Sequence, residues 1–132
     1  MLILVAEDNA DNRDMLARRL ARRGFEVVLA EDGEAALEQA RTHRPDLILM
    51  DVSMPVMSGL DATRALRADP ATRDLKIVAL TAHAMASARE ECLSAGCDGF
   101  ATKPVDFQSL ITLMETMLPN AQCSGQQLAH GV

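Results

Sequence analysis

Residues 2–6 read Leu2-Ile3-Leu4-Val5-Ala6, an unbroken apolar run that ends abruptly at Glu7 and Asp8. The run is too short and too uniformly apolar to be a strand with one face in solvent. Strands that are buried on both faces are typical of parallel sheets, because helices cover such sheets on either side. The stretch therefore predicts a buried parallel strand that ends in two carboxylates.

Four further apolar runs follow, and amphipathic segments separate them. Asp32 and Asp106 are placed to cap helices, whereas Gly24 and Gly96 are placed to end them. The pattern predicts strands over 2–6, 25–29, 46–50, 76–80 and 99–102, and helices over about 10–23, from 32 to before Pro45, 59–68, about 84–95, and from 106 to Pro119.

Five strand–helix units of this kind favour one architecture. Parallel strands need crossover connections, and right-handed crossovers distribute the helices over both faces of the sheet. We therefore predict an α/β fold with a doubly wound, five-stranded parallel sheet. Residues 1–118 form this domain, and the Gln-, Ser- and Gly-rich residues 119–132 are expected to be a flexible tail.

Composition excludes several classes of partner. The 132 residues carry a net charge of −6 and only three aromatic side chains, all Phe, so nucleic acid and anionic membranes are poor partners. Three cysteines, an odd number without His or Cys at zinc-ligand spacing, argue against a disulfide framework and a zinc site. The start lacks signal-peptide features, and no stretch approaches a membrane span. We expect a cytoplasmic protein with reduced thiols.

Polar residues follow four of the five predicted strands. Glu7 and Asp8 follow the first strand, Asp51 the third, Thr81 the fourth and Lys103 the fifth. Ligand sites in doubly wound sheets lie beyond the carboxyl ends of the strands. Solvated loop acids are the alternative, but each acid here directly ends an apolar strand. We therefore expect three carboxylates, a hydroxyl and an ammonium group to meet at one rim of the sheet.

Such a cluster is suited to phosphoryl chemistry. Carboxylate oxygens of Glu7, Asp8 and Asp51 are hard ligands of the kind that Mg²⁺ prefers, with Mn²⁺ as a substitute. A cation on one side and the Lys103 ammonium on the other could hold a phosphoryl group against one carboxylate. Asp51 is the natural nucleophile because its strand is the middle one, and the Thr81 hydroxyl could donate a hydrogen bond to a phosphoryl oxygen.

The motifs around these residues resemble those of the receiver domains of two-component response regulators. They are Val-Ala-Glu-Asp-Asn around Glu7 and Asp8, Leu-Met-Asp-Val-Ser-Met-Pro around Asp51 with Gly59 downstream, Ala-Leu-Thr-Ala around Thr81, and Ala-Thr-Lys-Pro around Lys103. The resemblance covers residues 1 to about 118. It implies a flavodoxin-like (CheY-like) fold with strand order 2-1-3-4-5.

The resemblance also implies a function. Asp51 would accept a phosphoryl group from a phosphohistidine of a histidine kinase or phosphotransfer protein. Mg²⁺ would be bound by Glu7, Asp8, Asp51 and the main-chain carbonyl of Ser53. The protein would catalyse its own phosphorylation and dephosphorylation without being a turnover enzyme on a separate substrate. As a monomer or weak dimer, it would signal to a downstream protein.

The family further implies a switch in which Thr81 moves toward the phosphoryl group and an aromatic side chain on the fifth strand turns inward. Phe100 matches that position, although it has no hydroxyl group and so leaves steric repacking as the signal. A plain core-packing role for Phe100 is the alternative. Lys103–Pro104 could be cis or trans. Ser53 and His83 match positions that tune dephosphorylation in the family, but His83 could equally be a surface loop histidine.

Several alternatives stay open. An aspartyl-phosphate phosphatase of the haloacid dehalogenase class uses a similar set, but it needs a second Asp two residues after the nucleophile, where this chain has Ser53. A degenerate receiver that only binds proteins is disfavoured by the complete set of five residues. A stand-alone receiver is expected, but a module of a hybrid histidine kinase is possible. The Arg-rich face of the first helix is expected to be solvated, with partner docking as a second reading; its residues are Arg18, Arg19, Arg22 and Arg23.

Overall fold

Five parallel strands form one sheet, and a helix follows each of them. The computed structural model describes residues 1–52, 54, 57–82, 86–103 and 106–118. The strands are β1 (Leu2–Ala6), β2 (Glu26–Ala30), β3 (Leu47–Asp51), β4 (Lys76–Thr81) and β5 (Gly99–Thr102). The helices are α1 (Ala10–Arg22), α2 (Gly33–His43), α3 (Gly59–Ala68), α4 (Ala86–Ala95) and α5 (Phe107–Met117).

The strand order is β2-β1-β3-β4-β5, as predicted, and every pair is parallel. β3 is therefore the middle strand. The register pairs Ala6 with Met50, Met50 with Ala79, and Thr81 with Thr102. These pairings bring the carboxyl ends of β1, β3, β4 and β5 to one edge of the sheet, which is where the polar residues follow.

The sheet separates two apolar layers, because alternate residues of each strand face opposite sides. One layer contains Leu4 and Ile48 from the sheet, and the other contains Ile3 and Leu49. All four side chains are fully buried, and each contributes about 1.5–3 kcal/mol by leaving water. The first layer is completed by α2, α3 and α4 through Leu37, Leu66 and Cys92, and the second by α1 and α5 through Leu16, Leu20, Leu110 and Met114.

Two strands lie one residue later in the chain than predicted. β2 begins at Glu26 because the Phe25 N–H donates to the Leu20 carbonyl at 3.1 Å and so belongs to the end of α1. β3 begins at Leu47, and the Asp46 carboxylate instead accepts a hydrogen bond from the Leu2 N–H at 2.7 Å. Because of this shift Asp51 is the last residue of the strand itself.

The two predicted acidic N-caps behave differently. Asp32 caps α2 by accepting a hydrogen bond from the Ala35 N–H at 2.8 Å. Asp106 occupies the N-cap position of α5 but makes no side-chain cap bond, so this prediction was wrong in its chemistry. Its carboxylate accepts a hydrogen bond from the Ser109 hydroxyl at 2.7 Å instead.

Surface features agree with the expectation of a solvated helix face. Arg18, Arg19, Arg22 and Arg23 are all exposed. Within the described ranges no helix combines the length and apolar character needed to cross a membrane. The predicted tail over 119–132, the stop at Pro119 and the predicted start of the fourth helix at about residue 84 lie outside the described residues.

Candidate functional site

Main-chain hydrogen bonds of the sheet continue for one residue beyond β1 and β5. They fix the positions of Glu7 and Lys103, the residues that directly follow these two strands. The Glu7 N–H donates to the Ala30 carbonyl at 3.0 Å, just after β1. The Lys103 N–H donates to the Thr81 carbonyl at 2.7 Å, just after β5. These bonds place the two side chains at the same edge as Asp51, the last residue of β3.

Three carboxylates converge at this edge. Glu7, Asp8 and Asp51 each offer an oxygen atom, and these atoms lie within 4.8 Å of one another. Glu7 and Asp51 are only 1% and 2% exposed, whereas Asp8 is exposed. Buried carboxylates are rare without a compensating charge, so the arrangement requires a cation nearby.

Lys103 supplies one such charge. Its Nζ lies 3.0 Å from Glu7 Oε1 and 3.1 Å from Asp51 Oδ2. Desolvation alone would lower the pKa of Lys103, but its close ion pairs with Glu7 and Asp51 outweigh this effect and raise the pKa above its ordinary value. The lysine is therefore an ammonium group at neutral pH, held jointly by two acids.

Asp8 is ionised as well. Partial desolvation by its neighbours opposes ionisation, but the interactions with Asp51 and Glu7 and the positive charge of Lys103 together hold the pKa of Asp8 below its ordinary value. An ionised carboxylate at the solvent-facing side of the cluster is available to coordinate a cation.

The donor set fits a hard divalent cation. Glu7 Oε2 accepts a hydrogen bond from the Asn9 N–H at 3.1 Å, but the buried Glu7 Oε1 has no hydrogen-bond partner among the described residues. Its ion pair with Lys103 is close but lacks hydrogen-bond geometry. This oxygen has the Lys103 charge beside it but no hydrogen bond among the described residues, and the neighbouring oxygens of Asp8 and Asp51 make the place suitable for Mg²⁺.

Gly59 allows α3 to begin directly against the end of β3. A Cβ atom on Gly59 would lie 2.0 Å from the Asp51 carbonyl oxygen. The Gly59 N–H donates to the Val52 carbonyl at 3.0 Å, and the Ser58 hydroxyl caps the helix by accepting from the Asp61 N–H at 3.1 Å. Val52, Ser58 and the first residue of α3 are thus held close to the end of β3.

Two site residues were missed in the sequence, Asn9 and Arg13. Asn9 caps α1 by accepting a hydrogen bond from the Asn12 N–H at 2.9 Å, which the Asn-x-x-Asn spacing before an amphipathic segment could have indicated. Arg13 donates from Nη1 to the Glu7 carbonyl at 2.8 Å. No sequence pattern predicts that contact, because it depends on the path of the turn before α1.

The proposed switch residues lie on β4 and β5. Thr81 is 3% exposed at the end of β4. Phe100 is partly buried against the layer that contains Ile48, and the Arg89 guanidinium lies 5.7 Å from its ring centroid. Three predicted site residues lie outside the described residues. They are Ser53, the predicted metal ligand and rate-tuning position, His83, a second rate-tuning position, and Pro104, the candidate cis proline.

Comparisons with known proteins agree with this geometry. The chain is 38% identical over 123 residues to hybrid signal transduction histidine kinase I of Dictyostelium discoideum, and it spans 88% of its own length but 7% of that kinase. It is 34% identical to the polar-differentiation response regulator DivK of Brucella anthropi over 90% of this chain and 97% of that protein.

A solved structure shares both the fold and the sequence pattern. The receiver domain of sensor histidine kinase PA1611 from Pseudomonas aeruginosa, described with a magnesium ion in its active site cleft, is 37% identical, with 89% and 97% of the two chains covered and a TM-score of 0.83. Residues 3–115 match the family model of the response regulator receiver domain, which supports the receiver interpretation over a dehalogenase-class phosphatase. The chain therefore belongs to the family of response regulator receiver domains.

Proposed function

We propose that residues 1–118 form a phosphorylatable switch of a two-component or phosphorelay system, with Asp51 as the phosphoryl acceptor. One observation carries the proposal: a carboxylate 2% exposed, on the middle strand, lies 3.1 Å from an ammonium group and within 4.8 Å of two further carboxylates. Membership in the receiver family supports the same role.

The reaction needs positioning more than covalent chemistry. An Asp51 carboxylate oxygen attacks the phosphorus atom of a phosphohistidine. The new P–O bond forms as the P–N bond breaks, and the electron pair of that bond stays on the imidazole nitrogen of the donor. The Lys103 ammonium offsets charge on the transferred phosphoryl oxygens, and the Thr81 hydroxyl donates a hydrogen bond to one of them.

Mg²⁺ fits beside these residues. Glu7, Asp8, Asp51 and the main-chain carbonyl of Ser53 would hold it, and when bound it would neutralise negative charge shared by the acceptor and the phosphoryl group. The buried Glu7 Oε1, which has an ion pair with Lys103 but no hydrogen bond among the described residues, and the three converging carboxylates support this assignment.

The donor would be a histidine kinase or a histidine phosphotransfer protein, and the output a contact with a downstream protein. The phosphoryl group stays on the chain until hydrolysis, so the protein is a self-modifying acceptor and not an enzyme that turns over a separate substrate. A cytoplasmic location is part of the proposal, because the two described cysteines, Cys92 and Cys97, are free thiols.

Phosphorylation would be read out through Thr81 and Phe100. Phe100 lines a groove of about 410 Å³ between β5 and α5, together with Leu110 and Leu113. Because Phe100 has no hydroxyl group, its inward movement would change the shape of the surface formed by α4, β5 and α5 without changing a hydrogen bond.

Intact-mass spectrometry tests the proposal. With acetyl phosphate and Mg²⁺, the wild-type chain should gain one phosphoryl group, and Asp51→Asn should gain none. Asp61→Asn is the matched control, since that carboxylate is exposed and pairs with Arg64. Excess chelator should abolish the modification in the wild type. Equal modification of wild type and Asp51→Asn would refute the assignment.

A further inference from the structure

The main chain between Glu7 and Asp8 is held by a side chain from the first helix. The Glu7 carbonyl lies beyond Ala6, the last residue of β1 that pairs with both neighbouring strands. It accepts a hydrogen bond from Arg13 Nη1 at 2.8 Å. Arg13 is itself fixed, because its N–H donates to the Asn9 carbonyl at 2.9 Å in the first turn of α1.

With this contact, the Glu7 N–H, side chain and carbonyl each make a hydrogen bond. Its N–H donates to Ala30, its Oε2 accepts from Asn9, and its carbonyl accepts from Arg13. The Glu7 carbonyl and the Asp8 N–H belong to one planar peptide unit, so the direction of the first sets the direction of the second. The orientation of this peptide therefore sets the main-chain position from which the exposed Asp8 carboxylate reaches the cluster.

We propose that Arg13 is a positioning residue for the carboxylate cluster. It holds the Glu7–Asp8 peptide in the orientation that brings both carboxylates within reach of a cation that Asp51 would also hold. The inference rests on the proposed magnesium site and adds to it a residue that contacts neither the metal nor the phosphoryl group.

A purely electrostatic role for Arg13 would have the opposite effect. A positive charge near three carboxylates repels a divalent cation, so its removal would tighten Mg²⁺ binding. Removal of a positioning hydrogen bond would weaken Mg²⁺ binding, because the cluster would lose its orientation. The sign of the change in affinity therefore separates the two roles.

The test is Mg²⁺ titration of the full chain by calorimetry. Arg13→Gln removes the charge and shortens the side chain, and we expect Mg²⁺ affinity to fall about tenfold, as is typical when an outer residue that orients metal ligands is lost. Arg13→Lys keeps a charged donor of nearly the same reach and should stay within about threefold of wild type. Arg18→Gln is the control, since Arg18 is exposed and pairs only with Asp14 among described residues, at 3.2 Å.

A second measurement needs no metal. Amide hydrogen exchange at Asp8 and Asn9 in metal-free protein should quicken in Arg13→Gln and not in Arg18→Gln, while the melting temperature shows that the variant is folded. Unchanged or tighter Mg²⁺ binding by Arg13→Gln, with unchanged exchange at Asp8, would overturn the inference. A wild-type chain that binds no Mg²⁺ would instead contradict the proposed function, and the exchange rates would still decide whether Arg13 holds the turn.

Discussion

Lys103 forms ion pairs with two buried acids, Glu7 and Asp51, and is the cation of the site among the described residues. Three carboxylates against one ammonium leave a formal charge of −2, since Glu7, Asp8 and Asp51 lie together and Lys103 contacts two of them. Burying charges is costly unless they are paired, and one lysine cannot compensate three acids. A divalent cation would cancel the remaining charge, which is why the cluster has the character of a metal site.

At the level of single residues, the sequence predicted which side chains converge but not how they pair. The convergence follows from the rule that parallel strands end at one edge, so acids that end strands must lie together. The contact of Lys103 with Glu7, at 3.0 Å, depends on how a long side chain crosses the edge. No spacing along the chain encodes that path, and the same holds for the contact between Arg13 and Glu7.

The buried thiol of Cys97 gives a prediction on pH. Burial raises the pKa of Cys97 from 9.0 to about 11, with smaller opposing and supporting effects from Thr63 and Cys92. At pH 8 the thiolate fraction then falls about a hundredfold relative to an unperturbed thiol, so alkylation by iodoacetamide should be at least that much slower in folded than in urea-unfolded protein. Peptide mass spectrometry measures both rates, and similar rates would contradict the burial of this thiol.

The same shift affects stability in alkaline solution. The unfolded thiol loses its proton near pH 9.0, whereas the folded one keeps it up to about pH 11. The unfolded state therefore binds fewer protons in this window, and the free energy of unfolding falls as the pH rises. The contribution of Cys97 is complete below pH 9 and is lost by about pH 11, so Cys97→Ala should show a shallower decline over this range.

At the level of elements, the sequence predicted the five strands and five helices because burial on both faces and helical periodicity are local properties. The ends were predicted less well. Asp32 caps α2, but Asp106 makes no cap bond in α5 and accepts a hydrogen bond from the Ser109 hydroxyl instead. The position of a cap is a local pattern, whereas the choice of its hydrogen-bond partner depends on side-chain rotamers.

Gly59, the first residue of α3, lies directly against the main chain of Asp51. A Cβ atom at this position would lie 2.0 Å from the Asp51 carbonyl oxygen, so Gly59→Ala must shift α3 or the acceptor strand. We expect a loss of about 3 kcal/mol in the free energy of unfolding, measured in urea, together with slower phosphorylation.

Gly24→Ala is the comparison for this prediction. Gly24 has a φ of +93°, and a Cβ atom there would meet no other atom within 4 Å, so only backbone strain of about 1–2 kcal/mol applies, without any overlap. Phosphorylation of this variant should be normal. A Gly59→Ala chain as stable and as readily phosphorylated as wild type would show that α3 does not pack against Asp51.

At the level of the whole molecule, the strand order was predicted through the family resemblance, and the two apolar layers follow from alternation along the strands. The sequence did not predict the contacts of Arg67 at the amino ends of β4 and β5, at the side of the sheet away from the carboxylate cluster. Arg67, at the end of α3, donates to the Gly96 and Leu75 carbonyls at 2.8 and 2.5 Å and pairs with the Asp98 carboxylate at 2.8 Å. One side chain thus joins α3, the start of β4 and the turn before β5.

Loss of these contacts should destabilise the fold as a unit. Arg67→Ala removes this donor from the partly buried Gly96 and Leu75 carbonyls, and we expect about 2–3 kcal/mol less stability in urea unfolding. Arg64→Ala removes an exposed arginine of the same helix that pairs only with Asp61 among described residues, and it should cost no more than about 0.5 kcal/mol. Equal effects of the two substitutions would contradict the role of Arg67.

The central claim is that the phosphoryl group is carried by Asp51 as an acyl phosphate. Borohydride reduces an acyl phosphate to the alcohol with loss of phosphate, so a phosphorylated aspartate becomes homoserine, whereas phosphate esters of Ser or Thr do not react. The measurement is peptide mapping by mass spectrometry after phosphorylation with acetyl phosphate and Mg²⁺ and reduction with borohydride. We predict homoserine at position 51 and at no other aspartate; homoserine at position 8, or at no position, would contradict the account.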